Sequence, residues 1–434
     1  MERVIQKELL HWKNKSHRLP LILQGARQVG KTHIMKWLGV HHYQKHVYFN
    51  FDERPEIKEF FVTNKQVDRI IELFGLVSGI TIDQNTLIIL DEIQECPEAL
   101  NSLKYFAENR PEIHIICAGS LLGLLLNNGY SFPVGKVEFM EMHPMSFREV
   151  LPYWDEPSAK YLESKNPLEP IHALFFNSIL YQFKKYLIIG GMPAAIKTFN
   201  QNNLFEEADQ VLQNLLLSYR GDFAKHPIMT DIAKITHVFD SLPTQLSREN
   251  KKFVFQLVRN GARAREYEDA IQWLVNSGLI HRVNLITKPS LPLTAYVQVS
   301  AFKLYCMDVG LIRKMSTLSP SALAEGNRLF TEFKGALTEN YILQSLILQV
   351  PEKPYYWTSG NTAEVDFLIT HNNQIIPIEV KSDVNVKSRS LTLYRSQYQP
   401  PISIRYSLQN LETRDGLINI PLFLADYTNE ILGK

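Results

Sequence analysis

The sequence predicts an α/β protein: a parallel-sheet domain first, then a helical region, a winged-helix-like module and a second α/β domain. Three observations carry that prediction. Between Leu21 and about Met142, short apolar runs (PLILQG, HVYFNFD, TLIILDE, IHIICAGS, KVEFMEM) alternate with helix-like segments such as KTHIMKWLG and EALNSLKYFAEN. Continuous apolar runs separated by helices are what strands buried on both faces require. From about Pro144 to Lys225 the apolar residues fall at helical spacing, broken by Gly190-Gly191 and Pro193. From about Ala322 a long helix, LFTEFKGALTENYILQSLI, precedes the strand–turn–strand pattern EVDFLITHNNQIIPIEVKS. With 434 residues, the chain is long enough for two to three cores. The expected boundaries are residues 1–143, 144–228, 229–318 and 319–434.

Composition narrows the class. Lys plus Arg number 46 and Asp plus Glu 45, a net charge of +1, which argues against a nonspecific polycation while leaving room for local basic patches. Cys96, Cys117 and Cys306 lie far apart without metal-like spacing, which fits a reducing compartment. The first residues read as a charged amphipathic helix without the apolar core of a secretory leader, and no apolar run is long enough to cross a bilayer. A cytoplasmic location without membrane association is expected.

The first chemical motif is Gly25, Ala26, Arg27, Gln28, Val29, Gly30, Lys31 and Thr32, which satisfies GxxxxGK[ST] between a strand-like and a helix-like segment. Glycines let the backbone N–H groups turn toward a phosphate at a helix N-terminus. In that role Lys31 reaches the β and γ phosphates of ATP, and the Thr32 hydroxyl holds Mg2+. The second half of the site is TLIILDE, an apolar strand that delivers Asp91 and Glu92 at its end. Asp91 is expected to hold the magnesium, and Glu92 to polarise the attacking water as the catalytic base. Ser120 closes the strand IHIICAGS and is either a γ-phosphate sensor or a turn serine. Arg27, Arg110 and Arg148 are candidates for an arginine finger, and spacing does not choose among them.

The order of GARQVGKT, LIILDE and AGS resembles the AAA superfamily. PVGKVEFMEMHPMSFREVL, GGMP, SYRGDFAKH, LYCMDVGL and EVDF…PIEVKS resemble a bacterial and archaeal family of AAA ATPases fused to a conserved C-terminal domain of unknown function. The likeness covers nearly the whole chain. It implies ATP binding, Mg2+-dependent hydrolysis and a capacity to oligomerise. The chain departs from many relatives at Gly135-Lys136, where they carry Gly-Arg.

The C-terminal hairpin carries a second pattern. A turn at Asn372-Asn373 sets Asp366 opposite Glu379 and Glu364 opposite Lys381, because Asn-Asn accepts the positive φ of a two-residue turn. Alternation puts Glu379 and Lys381 on one face, with Val365, Phe367, Ile369, Ile378 and Val380 on the other. On pattern alone this is a half-buried hairpin with a salt-bridged polar face. The acid followed by Glu-x-Lys resembles the PD-(D/E)xK nucleases of restriction-endonuclease-like fold. That likeness implies a divalent metal on Asp366 and Glu379, water activation by Lys381 and an extra acid at Glu339.

Residues 229–318 read as three helices and a strand pair, the layout of a winged helix. Arg248, Lys251, Lys252, Arg259, Arg263 and Arg265 cluster there, but the third helix opens with Glu266, Glu268 and Asp269. Two readings stand: a DNA-binding module, and a structural or protein-docking wing. His41, His42 and His46 read as a polar loop rather than a metal site, and Tyr355, Tyr356 and Trp357 as strand packing. Taken together, the sequence predicts an ATPase acting with DNA or a protein partner. The alternative is a slow nucleotide switch that docks DNA or a protein and has an inactive C-terminal domain.

Overall fold

The computed structural model describes residues 1–119, 133–224, 229–248, 251–320, 329–360, 363–382 and 388–433. The chain forms two compact units. One holds Glu2–His143 with Asn276–Gly278; the other holds Pro144–Val275 and Leu279–Lys434 together with Met1.

The first unit is built on five strands, β1 (Leu21–Gln24), β2 (Lys45–Asn50), β3 (Thr86–Asp91), β4 (His114–Ala118) and β5 (Glu138–Glu141). Their order is β2-β3-β4-β1-β5 and every pairing is parallel. Parallel neighbours need crossovers, and the intervening helices cover the sheet. All six residues of β3 are buried, as an uninterrupted apolar run requires. One side of the core is aromatic: Phe49 of β2 stacks on Phe74, with ring centroids 4.4 Å apart, and Phe61 packs edge-on against the same ring. Two features position a site. Parallel strands bring all their C-terminal ends to one edge, and β4 lies between β1 and β3 at that edge.

The second unit begins with helices. Phe147–Trp154 starts on a reciprocal cap between Ser146 and Glu149, a direct product of the sequence S-x-x-E. Ala173–Ile189 ends at Gly190, whose φ is +77°. A Cβ there would lie 2.2 Å from Asp308 Oδ1, so the turn tolerates no side chain. The helices Met229–Leu246, Phe255–Val258 and Ala264–Asn276 lead into β6 (Ile280–Ile286) and β7 (Val297–Cys306), an antiparallel pair. Trp273 and Leu274 are buried, as core residues of the third helix.

The remaining strands are β8 (Tyr355–Thr358), β9 (Glu364–His371), β10 (Gln374–Val380), β11 (Ser403–Ser407), β12 (Glu412–Arg414) and β13 (Leu417–Pro421). They form one sheet of order β12-β13-β11-β10-β9-β8-β6-β7. The strand pair that follows the three helices is therefore a margin of this sheet. Leu285 and Ile286 of β6 present their free edge to Tyr356 and Trp357 of β8. At the β9–β10 hairpin, Asn372 and Asn373 take φ of 47° and 58°. The register runs from Gln374 opposite His371 to Ile378 opposite Phe367, as that turn dictates. Among the described residues no helix is long and apolar enough to cross a membrane.

Candidate active site

In the first unit β1 leads straight into Gly25, whose φ is +139°. A Cβ on Gly25 would sit 2.1 Å from the Met142 carbonyl oxygen, so only glycine lets the loop pass. Gln28 (φ 64°) and Gly30 (φ 103°) are also left-handed, and Gly30 caps the helix Lys31–His42. Such alternation of backbone hand at a helix start makes an anion-binding concavity. Lys31 folds back over the loop: Nζ donates to the carbonyls of Gly25 (2.8 Å) and Ala26 (2.7 Å). Burial lowers its pKa to about 8, against the opposing charges of Glu92 and Asp91.

The two acids follow from β3. Asp91 is 3% exposed, and its Oδ2 accepts from Thr32 Oγ1 at 2.6 Å and from the Tyr48 hydroxyl at 3.0 Å. The strand and the P-loop thus converge at two oxygens, one from each. Glu92 leaves the strand with a left-handed backbone (φ 51°), and its carboxylate accepts from Gln94 Nε2 at 2.5 Å.

Two contributors carry no motif. Arg3 donates to the Val29 carbonyl (3.0 Å) and to the His143 carbonyl (2.7 Å), tying the P-loop to the end of the segment that follows β5. Tyr48, on β2, reaches Asp91 because β2 is the neighbour of β3. Neither shows a local signal in the sequence; both come from residues brought near only by the fold. Ser120 lies outside the described residues.

The arginine candidates differ in their surroundings. Arg110 precedes β4, at the sheet edge opposite the P-loop, and pairs with Asp68 (2.5 Å) and Glu112 (3.2 Å). Arg148 is taken up by Glu163 (3.1 Å) and Glu430 (2.8 Å). Arg27 stays in the loop, where its charge opposes that of Lys31. Lys136 pairs at the surface with Glu108 (3.0 Å).

The second unit contains a buried charged cluster. Glu339, on the helix Leu329–Ile347, is bonded by Lys251 and accepts from the Tyr305 hydroxyl at 3.2 Å. Asp366 Oδ2 accepts from the Val380 backbone N–H at 2.7 Å. Glu379 Oε1 pairs with Lys381 Nζ at 2.6 Å, and the Ser388 side chain lies against the carboxyl, while Oε2 itself is buried without a direct hydrogen bond. Glu364 pairs with Lys303, which belongs to β7, beyond β8 and β6 in the sheet.

Burial and the charges of Glu339 and Glu379 push Asp366 well above the usual carboxylate range. Burial also raises Glu379, against the pull of Lys381. At Glu339 burial acts upward too, but Lys251 and Lys303 outweigh it and hold the carboxyl below its ordinary value. Glu339, Asp366, Glu379 and Lys381 thus share one electrostatic environment, together with three residues that sequence reasoning did not place there: Lys251, Lys303 and Tyr305. Among the described residues, no three His, Cys, Asp or Glu side chains are arranged to hold a metal ion. His41 stacks on Trp37, with ring centroids 5.6 Å apart.

A five-stranded parallel sheet, a glycine-cradled loop with a buried lysine and an acid strand meeting that loop define a P-loop nucleotide-binding domain. Residues 17–151 match the model of an AAA domain. Residues 180–322 and 334–424 match two domains of unknown function, DUF8612 and DUF4143. Among solved structures the chain is similar to the Walker-type ATPase PABY2304 of Pyrococcus abyssi, at 15% identity over 72% of this chain and 95% of that one, with a TM-score of 0.46. It is also similar to PCH-2 of C. elegans, at 16% identity over 47% of this chain and 66% of that one, with a TM-score of 0.29. No curated protein matches the chain.

Proposed function

We propose that the chain hydrolyses ATP with Mg2+ at Gly25–Thr32, Asp91 and Glu92, and couples turnover to DNA or a protein partner. The observation that carries this reading is the 2.6 Å approach of Thr32 Oγ1 to Asp91 Oδ2 beside the buried Lys31. Two oxygens from separate elements meet where the phosphates of a nucleotide in the loop would lie, which suits a hard cation. Thr32 and Asp91 would hold a magnesium ion there, which would supply neutralisation of the phosphates' negative charge. Lys31 exchanges its bonds to the loop carbonyls for phosphate oxygens. The backbone N–H groups of Gly25–Thr32 orient the triphosphate, and Tyr48 keeps the Asp91 carboxylate in place. Glu92, once released from Gln94, takes the proton of the attacking water on a carboxylate oxygen.

The test measures ATP binding and steady-state hydrolysis separately, with and without duplex DNA. Lys31→Ala is expected to weaken ATP binding by about a hundredfold or more. Glu92→Gln is expected to keep binding and lose about 10²–10⁴ in kcat, the range for a general base. Binding that survives Lys31→Ala, or turnover that survives Glu92→Gln, would remove these residues from their roles. Stimulation by DNA favours a nucleic-acid-coupled ATPase. Slow turnover unaffected by DNA favours the switch that docks a protein.

A second reading concerns the second unit and rests on the unpartnered Glu379 Oε2. A buried carboxylate oxygen without a donor is costly, and a divalent cation would satisfy it. On this reading Asp366 and Glu379 would hold the metal, Glu339 would be the extra acid beside them, and Lys381 would position water for phosphodiester cleavage. Metal-dependent cutting of DNA that persists in Glu379→Ala would sink it.

A further inference from the structure

We infer, taking Glu92 as the base of the proposed ATPase, that Gln94 is a further catalytic residue whose side-chain carbonyl holds the attacking water. Gln94 lies in the one-turn helix Ile93–Glu95 that follows β3. That turn is firmly held. Ile93 is fully buried in the core of the first unit. Glu95 N–H donates to the Glu92 carbonyl at 3.0 Å, and Cys96 N–H to the Ile93 carbonyl at 3.0 Å. With Glu92 in left-handed backbone (φ 51°), the two side chains meet, and Gln94 Nε2 donates to Glu92 Oε2 at 2.5 Å. The other half of the same amide is an orphan: Gln94 Oε1 is buried and accepts no hydrogen bond among the described residues. The amide cannot turn over to relieve this, because only its nitrogen end can face a carboxylate.

A buried acceptor without a donor is costly, and the nearby groups of the site are committed elsewhere. Asp91 Oδ1 accepts from the Glu92 backbone N–H (3.1 Å), and Oδ2 from Thr32 and Tyr48. The Lys31 ammonium is folded onto the loop carbonyls. The reaction itself brings the missing donor. A water molecule carries two hydrogens, and a base takes only one of them. The second needs an acceptor if the oxygen lone pair is to stay aimed at phosphorus. An amide carbonyl suits that task, since it orients water without competing for the proton. As Glu92 moves off Nε2, the water enters between the two side chains. Its oxygen bonds to the γ-phosphorus while the bond from that phosphorus to the bridging oxygen breaks, the electron pair leaving with ADP. One proton passes to the Glu92 carboxylate. The other, held until then by Gln94 Oε1, stays on the new phosphate oxygen.

Equilibrium ATP binding and single-turnover ATP cleavage by the full chain with Mg2+ test this in wild type, Gln94→Met, Gln94→Lys, Gln94→Asn and Glu92→Gln. Methionine keeps the volume and offers neither donor nor acceptor; lysine keeps a donor for Glu92 and has no acceptor. Both variants are expected to bind ATP within about twofold of wild type, which also reports an intact fold, and to cleave it about tenfold or more slowly, as loss of a hydrogen bond made in the transition state requires. Gln94→Asn keeps the polarity but withdraws the carbonyl by one carbon, and should be slowed as well. Cleavage by Gln94→Met at or above the wild-type rate overturns the inference and leaves Gln94 only a latch on Glu92. Recovery in Gln94→Lys overturns it too, since the donor rather than the acceptor would then matter, and so does a wild-type rate in Gln94→Asn. The two readings fail separately. Cleavage that survives Glu92→Gln removes the base and this role of Gln94 with it, whereas cleavage lost in Glu92→Gln and retained in Gln94→Met removes Gln94 alone.

Discussion

Lys31 shows how a single residue ties burial to ligand affinity. Removing its ammonium from water lowers the pKa to about 8 in the free protein. A polyphosphate beside it favours the charged form and raises the pKa again. Below about pH 8 the lysine is charged in both states and ATP affinity should be flat. Above it, binding must take up a proton, and affinity should fall by up to about tenfold per pH unit. Calorimetry at pH 8.5 in buffers of different ionisation enthalpy reads that uptake; identical heats in all buffers would contradict it. The sign for folding is opposite. The folded pKa lies below the unfolded one, so the free domain gains stability from this group as pH rises from about 8 toward 10.5. Lys31, Thr32, Asp91 and Glu92 could be read from the sequence because a P-loop and an acid strand encode their geometry locally. Arg3, Tyr48, Lys251 and Lys303 could not. Each acts on a residue tens of positions away, and an isolated cation or phenol has no local signature.

At the scale of elements, the β9–β10 hairpin depends on two residues in left-handed backbone, Asn372 and Asn373. Asparagine bears that conformation better than most side chains, glycine better still, and β-branched residues worst. Asn373→Gly should leave thermal stability of the second unit unchanged or slightly raised, and Asn373→Val should cost about 1–2 kcal/mol. Equal melting of the two variants would mean that the turn does not set the register. The hairpin was readable because a two-residue turn fixes every pair behind it. The parallel pairing of β6 with β8 was not. Its two strands are separated by β7 and the helices Val309–Met315 and Leu329–Ile347, and nothing in either strand names the other. The sequence therefore suggests a strand pair after three helices without revealing that the pair borders a larger sheet.

At the scale of the whole molecule, the near-zero net charge hides two strongly charged interiors, one per unit. The first surrounds Lys31 with Asp91 and Glu92; the second sets three lysines among four carboxyls. Composition averages over both, which is why it could exclude a polycation but not locate either site. Each interior is completed by residues from separate stretches of chain, so each is a product of tertiary structure.

The strand order of the first unit also bears on how the chain is made. Leu21 of β1 pairs with Ile116 on one side and Glu138 on the other. Both partners are synthesised long after β1 itself. Until they emerge, the apolar run around Leu21–Leu23 has no sheet to join, and the P-loop has neither the Met142 carbonyl beside Gly25 nor the His143 carbonyl that Arg3 grips. A nascent chain in this interval exposes the surface that chaperones recognise and that aggregation exploits. Ribosome-stalled chains that display residues 1–110 should be degraded rapidly by protease and bind no ATP, whereas chains that display residues 1–160 should resist and bind. ATP capture by the shorter chains would show that the loop forms without its sheet. On the expected outcome, nucleotide binding is a late event in synthesis, gained in one step when β5 closes the edge beside the P-loop strand.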